Sequence, residues 1–109
     1  MKCFENAKIY LIRFLNEDNH IYIGSTIRSL KQRFAGHKSC PDNQTSISRY
    51  IKKTYKNDWN VCQIELYMNY PCKTNKELIK KEYQIINKFC RNKEFKVLNI
   101  LGNKHKNKK

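Results

Sequence analysis

The spacing of apolar side chains in this chain changes from a period of two to the period of a helix. Residues 8–14 and 20–25 alternate and are rich in β-branched and aromatic side chains, so both are predicted strands. The polar residues 16–19 between them, Asn-Glu-Asp-Asn, indicate a turn. The first quarter of the chain therefore predicts two strands that face each other across a short turn.

The remaining elements follow from the same two periods. The pattern predicts a helix over 30–38 with Ser29 as N-cap, a short helix over 47–54, a strand over 61–68, a long helix over 78–89 behind the capping box Thr74 and Glu77, and an extended piece over 96–100. In the third strand, alternation puts Cys62, Ile64, Leu66 and Met68 on one face. This order favours an α+β domain with a small, three-stranded, mainly antiparallel sheet flanked by helices.

Glu82 lies in the centre of an otherwise apolar stripe of the long helix. At about 100° per residue, the stripe also contains Leu78, Ile79, Ile85, Ile86 and Phe89. A carboxylate that faces a core costs several kcal/mol unless a cation or several donors meet it. Two explanations fit this position: a buried ion pair with an Arg or Lys, and a metal ligand or catalytic carboxylate that faces a cleft.

Composition adds a strong positive charge to this picture. The 109 residues carry a formal net charge of +14, an excess that a polyanion partner would neutralise. A phosphate backbone fits better than a membrane, because the chain has no apolar run long enough to cross a bilayer. We expect one domain over residues 1–102 and a basic C-terminal tail over 103–109. An AT-rich genome, which favours Lys, Asn, Ile and Tyr, explains part of the excess.

Cysteine usage bears on the compartment. The five cysteines are odd in number and form no Cys-x-x-Cys pair, and the N-terminus lacks the apolar run of a signal peptide. We therefore expect free thiols in an intracellular, reducing compartment, without a disulfide framework or a structural zinc site. The skewed composition leaves open a viral protein that acts in a host cell.

Candidate chemistry begins in the hairpin. If the register pairs Tyr10 with Gly24, then Ile12 pairs with Tyr22, and the two tyrosines share one face of the sheet. Gly24 then leaves open space beside Tyr10. A slip of one residue would put the tyrosines on opposite faces. Ordinary cross-strand packing is the alternative explanation for the two tyrosines taken alone.

The helix that follows carries two further candidates. Leu30 and Phe34 form its core stripe, and Arg33 and His37, one turn apart, flank that stripe. A guanidinium can bind a phosphate through two parallel hydrogen bonds, and an imidazole can accept a proton near neutral pH. A solvated basic helix face is the alternative for this pair.

Taken together and in chain order, these segments resemble the GIY-YIG nuclease family. The matching residues are Lys8-Ile9-Tyr10, Tyr22-Ile23-Gly24-Ser25, Leu-x-x-Arg-x-x-x-His over 30–37, Glu82 in the long helix, and Asn99 near the end. The resemblance covers about residues 8–100. The chain departs from it at Lys8, where the first motif has glycine and where a lysine could approach DNA. Gln44 stands nearest to the position where some members have a histidine.

The resemblance implies a metal-dependent DNA endonuclease that hydrolyses phosphodiester bonds. Its implied catalytic residues are Tyr10, Tyr22, Arg33, His37, Glu82 and Asn99. Glu82 would be the single carboxylate ligand of one Mg²⁺ (Mn²⁺ is a substitute), Arg33 would hold the phosphate, and Tyr10, helped by His37, would deprotonate or orient the water. The ordinary pKa of tyrosine, near 10, would have to be lowered by a nearby cation, either Arg33 or the metal.

Two other functions compete with this one. A catalytically inactive or regulatory nucleic-acid-binding module on the same fold would use the same charge. The other is a basic protein that coats nucleic acid, a function that does not explain a carboxylate at position 82 within an apolar stripe. The sequence predicts DNA, duplex or branched, as partner, with no membrane and no small-molecule cofactor. It does not determine the DNA target, the biological role or the oligomeric state.

Overall fold

A four-stranded mixed sheet lies at the centre of the structure, a computed structural model that describes residues 4–16, 19–39 and 46–99. The strands are β1 (Lys8–Phe14), β2 (His20–Thr26), β3 (Cys62–Asn69) and β4 (Lys96–Val97), and the helices are α1 (Leu30–Lys38), α2 (Ser46–Tyr55) and α3 (Asn75–Arg91). Short 3-10 turns cover Phe4–Asn6 and Trp59–Val61. The strand order is β3-β1-β2-β4. The basic tail over 103–109 and Gln44 lie outside the described residues.

The α+β class is confirmed, but the expected number of three strands is wrong. β1 pairs antiparallel with β2, as predicted for the hairpin, and also antiparallel with β3, and β4 adds a two-residue parallel pairing to β2. The sequence predicted an extended piece there without a sheet partner. Two residues are too few to show a period, so only their contact with His20 and Ile21 identifies them as a strand.

The predicted hairpin register is confirmed. Tyr10 lies opposite Gly24, and Ile12 lies opposite Tyr22. Because side chains alternate across a sheet, Tyr10 and Tyr22 therefore lie on the same face. Both belong to one buried cluster.

Each face of the sheet has its own core. The face with Ile9, Leu11, Ile21 and Ile23 packs against α3 through buried residues that include Leu78, Ile85 and Ile86. The opposite face, with Tyr10, Ile12 and Tyr22, packs against α2 through Ile47 and Ile51 and against Trp59. The catalytic candidates on β1 and β2 are thus on the side of α1 and α2, and α3 covers the other side.

One expectation about β3 is wrong. Cys62 and Ile64 pack with the Tyr10 cluster, but Met68 packs with the α3 cluster and Leu66 is half exposed. The register explains the change, because Tyr10 pairs with Leu66 while the preceding residue, Ile9, pairs with Met68. The extra residue in β3 is a bulge, and a bulge reverses the alternation beyond it.

The helix starts follow the predicted caps, with one difference. Ser29 and Gln32 form a reciprocal capping box at α1. At α3 the Thr74 hydroxyl accepts a hydrogen bond from the Glu77 backbone N–H, but the Glu77 carboxylate accepts from the N–H of Lys73 rather than that of Thr74. Glu77 therefore holds the segment before the helix as well as its first turn.

We expect Gly24→Ala to destabilise the protein by about 2 kcal/mol, the usual cost of overfilling a packed site. A Cβ at this position would overlap the Tyr10 ring at Cζ and at the hydroxyl oxygen, so the ring would have to move. Urea denaturation monitored by circular dichroism measures the change.

Gly36→Ala is the matched control. A Cβ at Gly36, inside α1, meets no atom within 4 Å, so the alanine should stabilise the helix by about 0.5 kcal/mol. Equal effects of the two substitutions would contradict the steric account of Gly24.

Candidate active site

The Tyr10 hydroxyl lies between an imidazole and a guanidinium. Its oxygen is 2.7 Å from Nε2 of His37, and Nε of Arg33 donates a hydrogen bond to it over 3.1 Å. Arginine can only donate, so the proton of the hydroxyl is available for His37. The three side chains form a hydrogen-bonded series in which the Tyr10 hydroxyl accepts a hydrogen bond from Arg33 and donates one to His37.

Helix α1 carries two of the three side chains in this hydrogen-bonded series. Arg33 and His37 are one turn apart and therefore project on the same side of the helix. The sequence analysis placed His37 beside an apolar stripe, but in the structure His37 is 1% exposed and is the buried residue of α1, while Leu30 and Phe34 are only half buried. The helix thus packs onto the sheet through its candidate catalytic side chain.

Burial sets the protonation states of this pair. It raises the pKa of Tyr10 to about 12, although the charge of Arg33 and its hydrogen bond act in the opposite direction. Burial, together with the charge of Arg33, lowers the pKa of His37 to about 4. At neutral pH Tyr10 is therefore a phenol and His37 a neutral imidazole. Arg33 acts on the Tyr10 pKa in the expected direction, but desolvation is the larger effect, so the pKa lies above its ordinary value.

The second nitrogen of His37 has no partner. Nδ1 is buried and, within the described ranges 4–16, 19–39 and 46–99, makes no hydrogen bond. When Nε2 accepts from Tyr10, the imidazole proton lies on this orphaned Nδ1. An unpaired buried polar group of this kind costs about 1–3 kcal/mol, a cost that is common at functional sites.

Tyr22 borders the same group of side chains. Its ring meets the His37 ring edge to face, with 5.6 Å between centroids, and it interacts electrostatically with Arg33. The two tyrosines that the sequence put on one face thus contact the same imidazole.

Glu82 reaches the site from the other side of the sheet. It is half buried on α3, and its Oε1 accepts a hydrogen bond from the hydroxyl of Ser25, at 2.5 Å. Burial raises its pKa, while the Ser25 hydrogen bond and the charge of Arg33 lower it in part. Among the described residues the carboxylate has no ion-pair partner, so the ion-pair explanation of this position finds no support.

Ser25 belongs to the site, although no role was predicted for it from the sequence. It belongs to the quoted segment Tyr22-Ile23-Gly24-Ser25, and alternation puts it on the face of Ile21 and Ile23, toward α3. That alternation was a usable signal, because the carboxylate predicted to face the sheet comes from the helix on that side.

Asn99 binds the backbone of β2. Its amide nitrogen donates to the carbonyl of Ile23 over 2.7 Å, and its amide oxygen accepts from the N–H of Ile23 over 2.9 Å. Ile23 lies between Tyr22 and Gly24, so this double hydrogen bond holds β2 where it carries both residues.

Lys8 makes two structural contacts; the DNA contact suggested for it stays a prediction. Its ammonium donates to the carbonyl of Asn6 over 2.7 Å and to that of Arg28 over 2.9 Å. Arg28 directly precedes the N-cap Ser29, so Lys8 ties the start of β1 to the start of α1. A side chain at this position therefore helps to position the helix that carries Arg33 and His37.

The residues around Glu82 fit a divalent cation. A carboxylate is the hard oxygen ligand that Mg²⁺ prefers, and Mg²⁺ commonly uses one or two protein carboxylates together with water and substrate phosphate. Ser25 orients one oxygen of Glu82, as outer hydrogen bonds do for metal ligands. Nowhere in the described part of the chain do three or more His, Cys, Asp or Glu side chains form a cluster suited to a metal, so the candidate ligand is a single carboxylate.

The sequence matches the family model of the GIY-YIG catalytic domain over residues 6–95. The chain therefore belongs to the GIY-YIG family, and its class of activity is that of a nuclease. GIY-YIG nucleases act on DNA and generally use divalent metals. Comparison with curated proteins and with solved structures finds no match. No helix within the described ranges has the length and apolar character needed to cross a membrane.

We expect His37 to make folding stability depend on pH. Its folded pKa of about 4 lies below the ordinary 6.5, so between these values the unfolded chain binds one more proton and stability rises with pH. From pH 7 to pH 5 the protein should lose about 2 kcal/mol through this residue alone.

His37→Gln keeps an acceptor for Tyr10 and removes the titration. Urea denaturation of both proteins at pH 7, 6 and 5 separates this contribution from that of the carboxylates, which both proteins share. Parallel stability curves would mean that His37 is protonated in the folded state at pH 5.

Proposed function

We propose that this protein is a divalent-metal-dependent DNA endonuclease that hydrolyses phosphodiester bonds with Tyr10, Tyr22, Arg33, His37, Glu82 and Asn99. The observation that carries the proposal is the hydroxyl of Tyr10 held between Nε2 of His37 and Nε of Arg33. A water molecule beside this hydroxyl can lose a proton to the Tyr10 oxygen while Tyr10 passes its own proton to His37.

This relay agrees with the protonation states of the pair. With its pKa raised to about 12, Tyr10 holds little phenolate at neutral pH, so it acts as a base only by giving up its proton as it takes the one from water. Neutral His37 is the group that receives it. Imidazolium beside Arg33 is unfavourable, and the negative charge of a bound phosphate would offset that cost.

Arg33 supports the reaction through the rest of its guanidinium. Nε is used by Tyr10, and within the described residues the guanidinium makes no other hydrogen bond. Its terminal nitrogens can therefore donate to the non-bridging oxygens of the phosphate. Charge that develops there in the transition state is stabilised by such preorganised donors.

Glu82 is the proposed metal ligand, with Ser25 as the group that orients it. A divalent cation bound there would stabilise the negative charge on the leaving 3′-oxygen. Tyr22 contacts His37 and would position water or phosphate, and Asn99 would keep β2 in place beneath both tyrosines.

The charge of +14 by itself fits a non-catalytic DNA-binding module equally well. What favours catalysis is the arrangement of buried groups, because an orphaned Nδ1 and an inward carboxylate both cost stability and serve no purpose in phosphate binding. A protein that binds DNA but fails to cut duplex, nicked, flap or junction DNA in Mg²⁺ or Mn²⁺ would be the non-catalytic module.

Glu82→Gln should abolish cleavage and metal binding while the protein stays folded with an equal or higher Tm. The amide keeps an acceptor for Ser25 and removes a charge whose burial raises the carboxyl pKa. Because that buried charge destabilises the folded state at neutral pH, its removal should increase the free energy of unfolding. Plasmid cleavage, Mn²⁺ titration and thermal unfolding are measured on the same preparations.

Glu94→Gln removes an exposed carboxylate that lies just after the same helix and is the matched control; it should cut normally. Normal cleavage by Glu82→Gln in Mg²⁺ would contradict the assignment of Glu82 as the metal ligand.

Arg33→Ala should reduce single-turnover cleavage by roughly 100-fold or more, the loss usual for one donor to transition-state charge. DNA affinity should change little by comparison. Lys31→Ala, which removes one exposed charge from α1, controls for charge alone. Equal losses of affinity and turnover in Arg33→Ala would make Arg33 an ordinary phosphate contact.

A further inference from the structure

A basic cleft lies on the flank of α3 that faces away from Glu82. The segment Tyr70–Lys73 forms one wall, and Lys80, Lys81 and Gln84 form the other, around a volume of about 590 Å³. Three lysines and one carboxylate, that of Glu77, line it. Nothing in the proposed reaction uses this space.

The positive charges of the cleft are available to an anion. The carboxylate of Glu77 accepts a hydrogen bond from the backbone N–H of Lys73 over 2.8 Å, which ties it to the cleft wall. The ammonium of Lys81 lies 5.5 Å from the centre of the Tyr70 ring, a cation–π contact that holds it in place. Within the described residues none of the three lysines forms an ion pair with Glu77 or any other carboxylate.

The cleft lies at the end of the sheet that carries the candidate active site. Ser25, which holds Glu82, pairs with Ile9, and Ile9 pairs with Met68, two residues before Tyr70. Two strand spacings put Met68 about 10 Å from Ser25, and the cleft begins two residues after Met68. Lys81 and Glu82 are consecutive on α3 and leave the helix about 100° apart, toward β3 and β2 respectively.

We propose that this cleft is a second phosphate-binding site, which holds the sugar–phosphate backbone of the DNA a few nucleotides from the cleaved bond. The distance of roughly 10 Å between Ser25 and the β3 side of the cleft is short enough for one DNA strand to contact both sites. Lys73 and Lys81 donate to phosphate oxygens, and the Tyr70 ring keeps Lys81 in place for this contact. The site fixes the position of the DNA and does not read its bases, since a lysine ammonium is a point charge. The inference rests on the proposed function, because it assumes that DNA lies across Glu82.

Equilibrium binding to a fluorescent DNA oligonucleotide without divalent metal tests the cleft apart from catalysis. The double variant Lys73→Gln, Lys81→Gln should bind about tenfold more weakly near 0.15 M salt. The slope of log affinity against log salt should fall by about 2, one unit for each lost phosphate contact. Lys52→Gln with Lys53→Gln removes the same charge from α2 and should change the slope by less than one unit.

Neutral methylphosphonate linkages, placed one at a time along the oligonucleotide, then locate the contact. A substitution at the linkage that the cleft holds, a few nucleotides from the cleavage point, should weaken binding to the wild type about tenfold and leave binding to the cleft variant unchanged. Lys73→Arg with Lys81→Arg should keep wild-type affinity, which shows that charge rather than lost structure explains the glutamine variant.

Two results would overturn the inference. One is an equal decrease of the salt-dependence slope in the cleft and α2 variants, which would mean that the lysines act through a diffuse positive potential and not through a site. The other is a methylphosphonate effect that is the same in the wild type and in the cleft variant. Failure of the proposed function has a different signature. A wild-type protein that cuts no DNA can still lose affinity at one linkage of the oligonucleotide, and the cleft variant would not show that loss.

Discussion

The close approach of Tyr10 to Gly24 is the contact on which the candidate site depends. Antiparallel pairing of β1 and β2 puts the two residues opposite each other, and the absence of a Cβ at Gly24 gives the phenol ring its place. The backbone of Gly24 needs no left-handed conformation, so its role is to leave space. From that position the Tyr10 hydroxyl reaches α1, where it forms hydrogen bonds with His37 and Arg33.

The same burial that stabilises this arrangement sets its chemistry. His37 is enclosed beside Arg33 and is therefore a neutral acceptor at physiological pH, while Tyr10 keeps its proton. Neither residue is a strong acid or base alone. In the proposed reaction their hydrogen bond couples the two proton transfers. Nδ1 of His37 is buried and makes no hydrogen bond within the described residues.

Side chains that bind backbone groups help to keep the parts of the site together. Asn99 pairs with the backbone of Ile23 on β2, and Lys8 joins β1 to the residue before the N-cap of α1. On the face of the sheet opposite to Tyr10 and Tyr22, the hydroxyl of Ser25 donates a hydrogen bond to Glu82. The site thus combines two layers of the domain, with β2 as the element that both layers share.

The sequence by itself determined the elements and the identity of most candidate residues. Alternation, helical spacing and the cap at Ser29 are local properties, and they give the two strands of the hairpin, α1 and the inward direction of Glu82. The hairpin register was left conditional, and the pairing of β1 with β2 decides it. Only the tertiary structure decided what depends on residues far apart in the chain. The Tyr10–His37 hydrogen bond joins positions 27 apart, the two residues of β4 become a strand only beside β2, and the bulge in β3 follows from pairing with β1. The pKa values belong to the same group, because desolvation depends on how completely the packed layers exclude water, and no local pattern of residue types contains that information.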